Sequence, residues 1–192
     1  NKWKLEALSA TSIAGGFLVF LYEKNWLEAI IKRTFMTIRK AKQEDIPKLL
    51  DLLQQILTLH HQARPDIFKQ TGTKYSSSEL QNILSQEHTP IFVFEDEKGQ
   101  VLGHLFCTIK DKTDNPVLQE IKTLFIKDLC VAQNARGQKI DNQLCQFALN
   151  YAKEIGCNNL TLSVWNDNEG ALRFYQRQGM KPQETTMEMI ID

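Results

Sequence analysis

Three stretches in the last third of the chain carry side chains able to do chemistry. The first is Asp128, a carboxylate set inside the apolar run LFIKDLCV. Burying it unpaired is costly, so it needs a partner or a water-filled cleft. A structural tie to loop amides and a group facing a reaction centre both meet that need. The second is the turn QNARGQKI, where Arg136 and Lys139 flank Gly137 just before an amphipathic segment opens at Ile140. Free N–H groups at a helix start, the positive end of the dipole and two basic side chains together make a pyrophosphate site. A solvated helix start has the same letters. The third is NEGALRFYQRQGM, Asn168 to Met180, in which Phe174 and Tyr175 are adjacent. They cannot share one helix face, so one can pack inward while the other faces a cleft.

The elements that must position these groups follow from periodicity. Thr123 to Val131 reads as a strand covered on both faces. Ile140, Leu144, Phe147, Ala148 and Tyr151 mark a helix, and Leu160, Leu162 and Val164 alternate with Thr161, Ser163 and Trp165 as a strand. A second helix begins at Asn168, and Gly179 suits its C-cap. The unit is strand, turn, helix, strand, helix.

Upstream, Thr37 to Ala41 is a short strand. Gln43, Glu44 and Asp45 open a helix with its acids where the macrodipole favours them. Ile46, Leu49, Leu50, Leu53, Ile56 and Leu57 form the apolar stripe of that helix. His60 and His61 at its end point in different directions and read as polar residues rather than a metal pair. Arg64-Pro65-Asp66 breaks the helix, and Ile67 and Phe68 anchor a short second one. A polar loop from Thr71 to Ser78 leads to a helix over Ser78 to Ser85. Ile91 to Glu95 and Val101 to Ile109 form a hairpin across Asp96-Glu97-Lys98-Gly99. Gly103 inside its second strand predicts a bulge or a close backbone approach. A charged connection, Lys110 to Pro116, follows.

Length and charge bound the rest. With 192 residues the chain holds one sizeable core plus extensions. Acidic and basic residues balance at 23 each, so no global field favours nucleic acid or an anionic membrane. The cysteines at 107, 130, 145 and 157 have no CxxC spacing, which argues for a reduced, cytoplasmic protein without a disulfide framework or zinc. Met36 opens a sequence that reads like a natural beginning, so residues 1–35 are taken as an N-terminal extension. Its apolar run, Ile13 to Tyr22, is about ten residues against the roughly 20 a spanning helix needs. A docking arm or a disordered segment fits better than a membrane anchor.

From Met36 to Ile191 the order of elements resembles the GNAT superfamily of acetyl-CoA-dependent N-acyltransferases. The D-I-x-x-L-L opening helix, the V-x-G hairpin strand, the R-G-x-x-I turn and N-x-x-A-x-x-F-Y-x-x-x-G-M carry the resemblance, the last most specifically. It implies one α/β domain over residues 36–192, with a mixed, mainly antiparallel sheet splayed between strands 4 and 5 and helices on both faces. It further implies that acetyl-CoA is the co-substrate and that a primary amine attacks its thioester directly. The fourth strand at Leu129, Cys130 and Val131 would offer its backbone to the pantetheine arm. Main-chain N–H groups of Arg136, Gly137, Gln138, Lys139, Ile140 and Asp141 would hold the pyrophosphate. Asn168 would contact the cofactor or its strand neighbour, and Tyr175 would protonate the leaving thiolate. Asp128 is the first candidate for general base, and a water chain is the alternative.

Two positions depart from the family pattern: Lys139 stands where glycine is common, and Asp141 where glycine or alanine is usual. At about 4 Å a carboxylate and a phosphate charge repel by roughly 1 kcal/mol in water and about 4 at an effective dielectric of 20. If Asp141 faces outward instead, it favours the helix start. Asp141 therefore motivates an alternative, a CoA-binding regulatory module with little or no turnover. An interaction protein working through its N-terminal arm is a third reading. The acceptor is not legible, and a homodimer is left open.

Overall fold

The computed structural model describes residues 37–111 and 116–191; the expected extension over residues 1–35 and most of the charged connection lie outside them. In chain order the elements are β1 (Thr37–Lys40), α1 (Ile46–Ala63), α2 (Ser77–Leu84), β2 (Ile91–Glu95) and β3 (Val101–Lys110). Then come β4 (Thr123–Val131), α3 (Ile140–Glu154), β5 (Asn159–Leu162) and α4 (Glu169–Arg177). The five strands form one open sheet in the order β1-β2-β3-β4-β5. The first three pairings are antiparallel and β4–β5 is parallel. A parallel pair cannot be joined by a hairpin, and α3 is the crossover it requires.

Helices cover both faces. On one, Leu52 of α1 accepts a hydrogen bond at its carbonyl from Cys130 Sγ at 3.6 Å, beside fully buried Leu49. On the other, Phe147 and Tyr151 of α3 meet the Phe92 ring edge-on at 4.8 and 4.9 Å. Two helix starts are capped as their letters allow. Glu79 N–H donates to Ser76 Oγ at 3.3 Å while the Glu79 carboxylate accepts from Ser76 N–H at 2.7 Å, a capping box on α2. Ala171 N–H donates to Asn168 Oδ1 at 3.1 Å on α4.

Both readings of Gly103 hold. The β2–β3 register skips Leu102, a bulge. A Cβ at Gly103 would also sit 2.9 Å from the Cys130 carbonyl oxygen and 3.2 Å from Leu144 Cδ1. Backbone on one side and a packed leucine on the other leave no room for a methyl. Gly103→Ala should destabilise the fold by about 1–3 kcal/mol, read as a lower midpoint in urea; an unchanged midpoint would mean that β4 yields at no cost.

Four expectations are corrected. Ile67 and Phe68 form a turn rather than a second helix: both N–H groups return to the Arg64 carbonyl, at 3.1 and 2.9 Å, and Phe68 packs on His60 and Trp165. The α1 stripe is rotated, with Leu52 in the core and Ile56 and Leu57 only half-buried. β4 is only partly covered on each face. Ile126 pairs with Cys107 and Asp128 with Phe106, so the strand changes face at Lys127. Leu124 and Ile126 are buried on one side and Asp128 and Cys130 on the other, while the residues between them are more open and Phe125 is roofed by Lys110, 4.0 Å from its ring. The second strand of the unit stops at Leu162, and Ser163 to Trp165 peel away from the sheet.

Candidate active site

The decisive feature is where β4 loses its neighbour. Ile126 is the last β4 residue paired with β5, opposite Leu162. The β3 register on the other side shifts at the same place: Cys107 pairs with Ile126 and Phe106 with Asp128, leaving Lys127 as an extra residue. Such a bulge bends its strand and re-aims side chains. Beyond it β4 runs on to Val131 beside a gap that β5 does not fill.

A cavity of about 580 Å³ opens at this gap. Ile126 to Leu129 of β4, Leu162 to Trp165, and Ala171 and Tyr175 of α4 form its walls together with Asn168. Leu53, Ile56, Leu57 and His60 of α1 and residues of the Phe68–Lys74 loop complete them. Of the residues singled out from sequence, Asp128, Leu129, Asn168 and Tyr175 meet here. Cys130, Val131 and the 136–141 turn do not line this cavity.

Asp128 is held from two sides. Its side chain is 3% exposed. Oδ1 lies 3.2 Å from Nε2 of His104, itself 0% exposed, and Oδ2 accepts from Lys74 Nζ at 2.6 Å. Burial works against the carboxylate, yet His104 and Lys74 outweigh it and hold its pKa below the ordinary value. Nδ1 of His104 is buried without a partner among the described residues. Burial pushes the Tyr175 phenol up, reinforced by Cys145, Asp128 and Asp141, so it keeps its proton at neutral pH. Its neighbour Phe174 is half-buried with its ring 5.0 Å away.

The turn before α3 lies at the carboxyl end of β4. Arg136 to Lys139 are exposed, while Ile140 is buried and anchors the helix. Gly137 and Lys139 both take left-handed backbone, φ 79° and 59°. A lysine there costs about 1 kcal/mol or more, a cost glycine would not carry. The N–H groups of Gly137 to Asp141 have no partner among the described residues. The Asp141 carboxylate turns back on its own helix and accepts from Asn142 N–H at 2.9 Å. Gln55 of α1 ties the approach: its Nε2 donates to the Val131 carbonyl at 3.0 Å, and its Oε1 accepts from Gln133 N–H at 2.9 Å. The Val131 carbonyl is therefore engaged. Burial raises the Cys130 thiol to about 12, so it is no nucleophile. Free amides at a helix start and an unpaired strand edge fit a diphosphate carrying an extended arm.

The sequence reading missed Lys74, His104 and Gln55. His104 carried a signal, a polar residue amid Leu102, Leu105 and Phe106 of a buried strand. Lys74 sat in a polar loop with nothing to mark it. His60, read as polar and terminal, stacks on Phe68 at 4.8 Å, and Phe68 meets Trp165 edge-on at 5.3 Å. Arg64 lies over Trp165 and pairs with Asp66 and with Glu188 of the C-terminal segment. No helix among the described residues is long and apolar enough to cross a membrane.

Comparison with known proteins follows the same lines. The family described as Acetyltransferase (GNAT) family matches residues 53–180. A GCN5-related N-acetyltransferase 6, chloroplastic, of Arabidopsis thaliana is 34% identical over 92 residues, 48% of this chain and 29% of that protein. The uncharacterized N-acetyltransferase YhfO of Bacillus subtilis is 26% identical over 144 residues, 75% of this chain and 89% of its own length. The chain thus spans under a third of the plant relative and most of the bacterial one. Among solved structures, the tetramutant of the BH1408 protein from Bacillus halodurans superposes with a TM-score of 0.76 at 30% identity, covering 81% of this chain and 99% of that one.

Proposed function

The chain belongs to the acetyltransferase (GNAT) family, and from that membership we propose that it transfers acetyl from acetyl-CoA to a primary amine by direct attack. The observation that carries this reading is the bulge at Lys127, which parts β4 from β5 and turns Asp128 into the same cavity as Tyr175. The domain over residues 36–192 does this work in our reading, and free thiols at all four cysteines agree with a reducing, cytoplasmic setting.

Acetyl-CoA, when bound, supplies an acetyl group activated as a thioester. The chain's part is to bind, orient and move protons. Amides of the Gly137–Asp141 turn, beside Arg136 and Lys139, are assigned the pyrophosphate. The main chain at Leu129, Cys130 and Val131 is assigned the pantetheine arm, with the Val131 N–H in place of its engaged carbonyl. Main-chain N–H of β4 polarises the reacting carbonyl. Asp128 takes the proton from the arriving ammonium, and Tyr175 O–H protonates the departing sulfur. Asn168 holds the start of α4, and so the placement of Tyr175, through its bond to Ala171 N–H. The acceptor passes His60, Phe68 and Trp165, which line the cavity mouth.

Calorimetry with acetyl-CoA and CoA, paired with thiol release over an amine panel, tests this. Binding with turnover is the expected result. Binding without turnover would favour the regulatory module that Asp141 motivates, and loss of both would favour an interaction protein. Asp141→Gly should tighten CoA binding by about tenfold if its carboxylate faces the phosphates. Unchanged affinity would show that the carboxylate stays on the Asn142 N–H.

A further inference from the structure

We propose that Lys74 is an internal acetyl acceptor, so that the chain acetylates its own Lys74 Nζ; this rests on the acetyl-transfer reading above. Three observations support it. Lys74 Nζ lies 2.6 Å from Asp128 Oδ2, the carboxylate to which an arriving amine would lose its proton. Lys74, Asp128, Leu129 and Tyr175 line one cavity, so the ammonium already stands where an acceptor stands. Lys74 is also a loop residue, two positions after Gly72 at φ +132°, with its side chain 39% exposed. No helix or strand fixes its backbone, so the side chain can swing from the carboxylate toward a thioester in the gap.

Lys69 and Lys127 line the same cavity, and neither has an ion pair among the described residues. They are built-in controls for chemical acetylation by proximity alone. In the step itself, Asp128 accepts one proton from the Lys74 ammonium, and the lone pair released forms the N–C bond to the acetyl carbon. The C–S bond breaks with its electrons on sulfur, and Tyr175 protonates the thiolate. The nitrogen sheds its second proton, by which the phenol is restored through solvent. The net change is lysine ammonium plus acetyl-CoA giving Nε-acetyl-lysine, CoA thiol and one proton. The product is neutral, so Asp128 loses its lysine partner and the cavity loses one positive charge.

The test incubates the full chain with acetyl-CoA and maps its peptides by mass spectrometry, with an amine panel run in parallel. Nε-acetyl-lysine should accumulate at position 74 about tenfold or more ahead of Lys69 and Lys127. Its rate should be independent of protein concentration, and Tyr175→Phe should slow it by about a hundredfold. Should that variant fail to fold, Asp128→Asn gives the same reading. The acetylated pool, freed of CoA, should melt below the unmodified one, since a neutral amide cannot form the ion pair with Asp128. Acetylation spread over all three lysines and indifferent to Tyr175→Phe would overturn the proposal. Acetylation of a soluble amine with Lys74 unmodified would overturn it too, while leaving the acetyltransferase reading intact. Transfer to neither would remove both.

Discussion

Replacing Tyr175 with phenylalanine should lower kcat by about a hundredfold while leaving the affinity for acetyl-CoA near its starting value. The ring stays, so the wall it contributes to the cavity persists. Only the O–H is lost, and it has no hydrogen-bond partner among the described residues, so no structural bond breaks with it. The expected size is at the low end for an acid catalyst. Burial and nearby Cys145, Asp128 and Asp141 raise the phenol, whereas a thiol has a pKa of about 8.5, so giving up this proton is uphill even to the full thiolate and is driven by reprotonation of the phenolate. Single-turnover kinetics beside calorimetry separate the two effects. Equal losses in binding and turnover would assign Tyr175 to packing instead.

Asp128→Asn should cost about a hundredfold or more in turnover and, separately, about 1–3 kcal/mol of stability. The amide can still meet His104 Nε2, now 3.2 Å from Oδ1, but it cannot take a proton or balance the Lys74 ammonium. The stability part has a pH signature. The folded pKa of Asp128 lies below its unfolded value. Its pairing therefore contributes fully above about pH 4 and is lost as pH falls through the folded value. The wild type should show that acid limb in urea titrations at successive pH values, and the variant should lack it. A variant with native turnover at neutral pH would strip Asp128 of the base assignment and leave it a structural anchor for His104 and the Lys74 loop.

Much of this architecture could be read in the letters because it obeys local periodicity. The amphipathic runs of α1 and α3, the Gly99 hairpin and the Asn168 cap each follow from residue spacing within a few turns. What could not be read depends on register between strands. The bulge at Lys127 leaves no local mark, since a strand with an extra residue has the same composition as one without. β4 looked buried on both faces because its apolar residues serve two different half-buried surfaces. Lys74 and His104 converge on Asp128 from positions 54 and 24 residues away, and no spacing rule reaches that far. Asp128 itself was legible as a carboxylate needing a partner, though the identity of its partners was not. The Phe68 turn was misread because a proline-broken helix and a fresh helical turn share the same apolar hook.

The one parallel step in the sheet has an implication for how such a site can arise. Two strands laid side by side in the same direction oblige the chain to travel back along the sheet before it can begin the second. That return leg must depart from the far tip of the strand just finished. Here the departure point is the 136–141 turn, and the far tip of β4 is also the stretch its shorter companion fails to reach. A ready cluster of amides and an unzipped seam thus occur at one address, the first set by connectivity and the second by the shorter β5 and the bulge at Lys127. Had the chain doubled back through a tight turn, the first would have vanished.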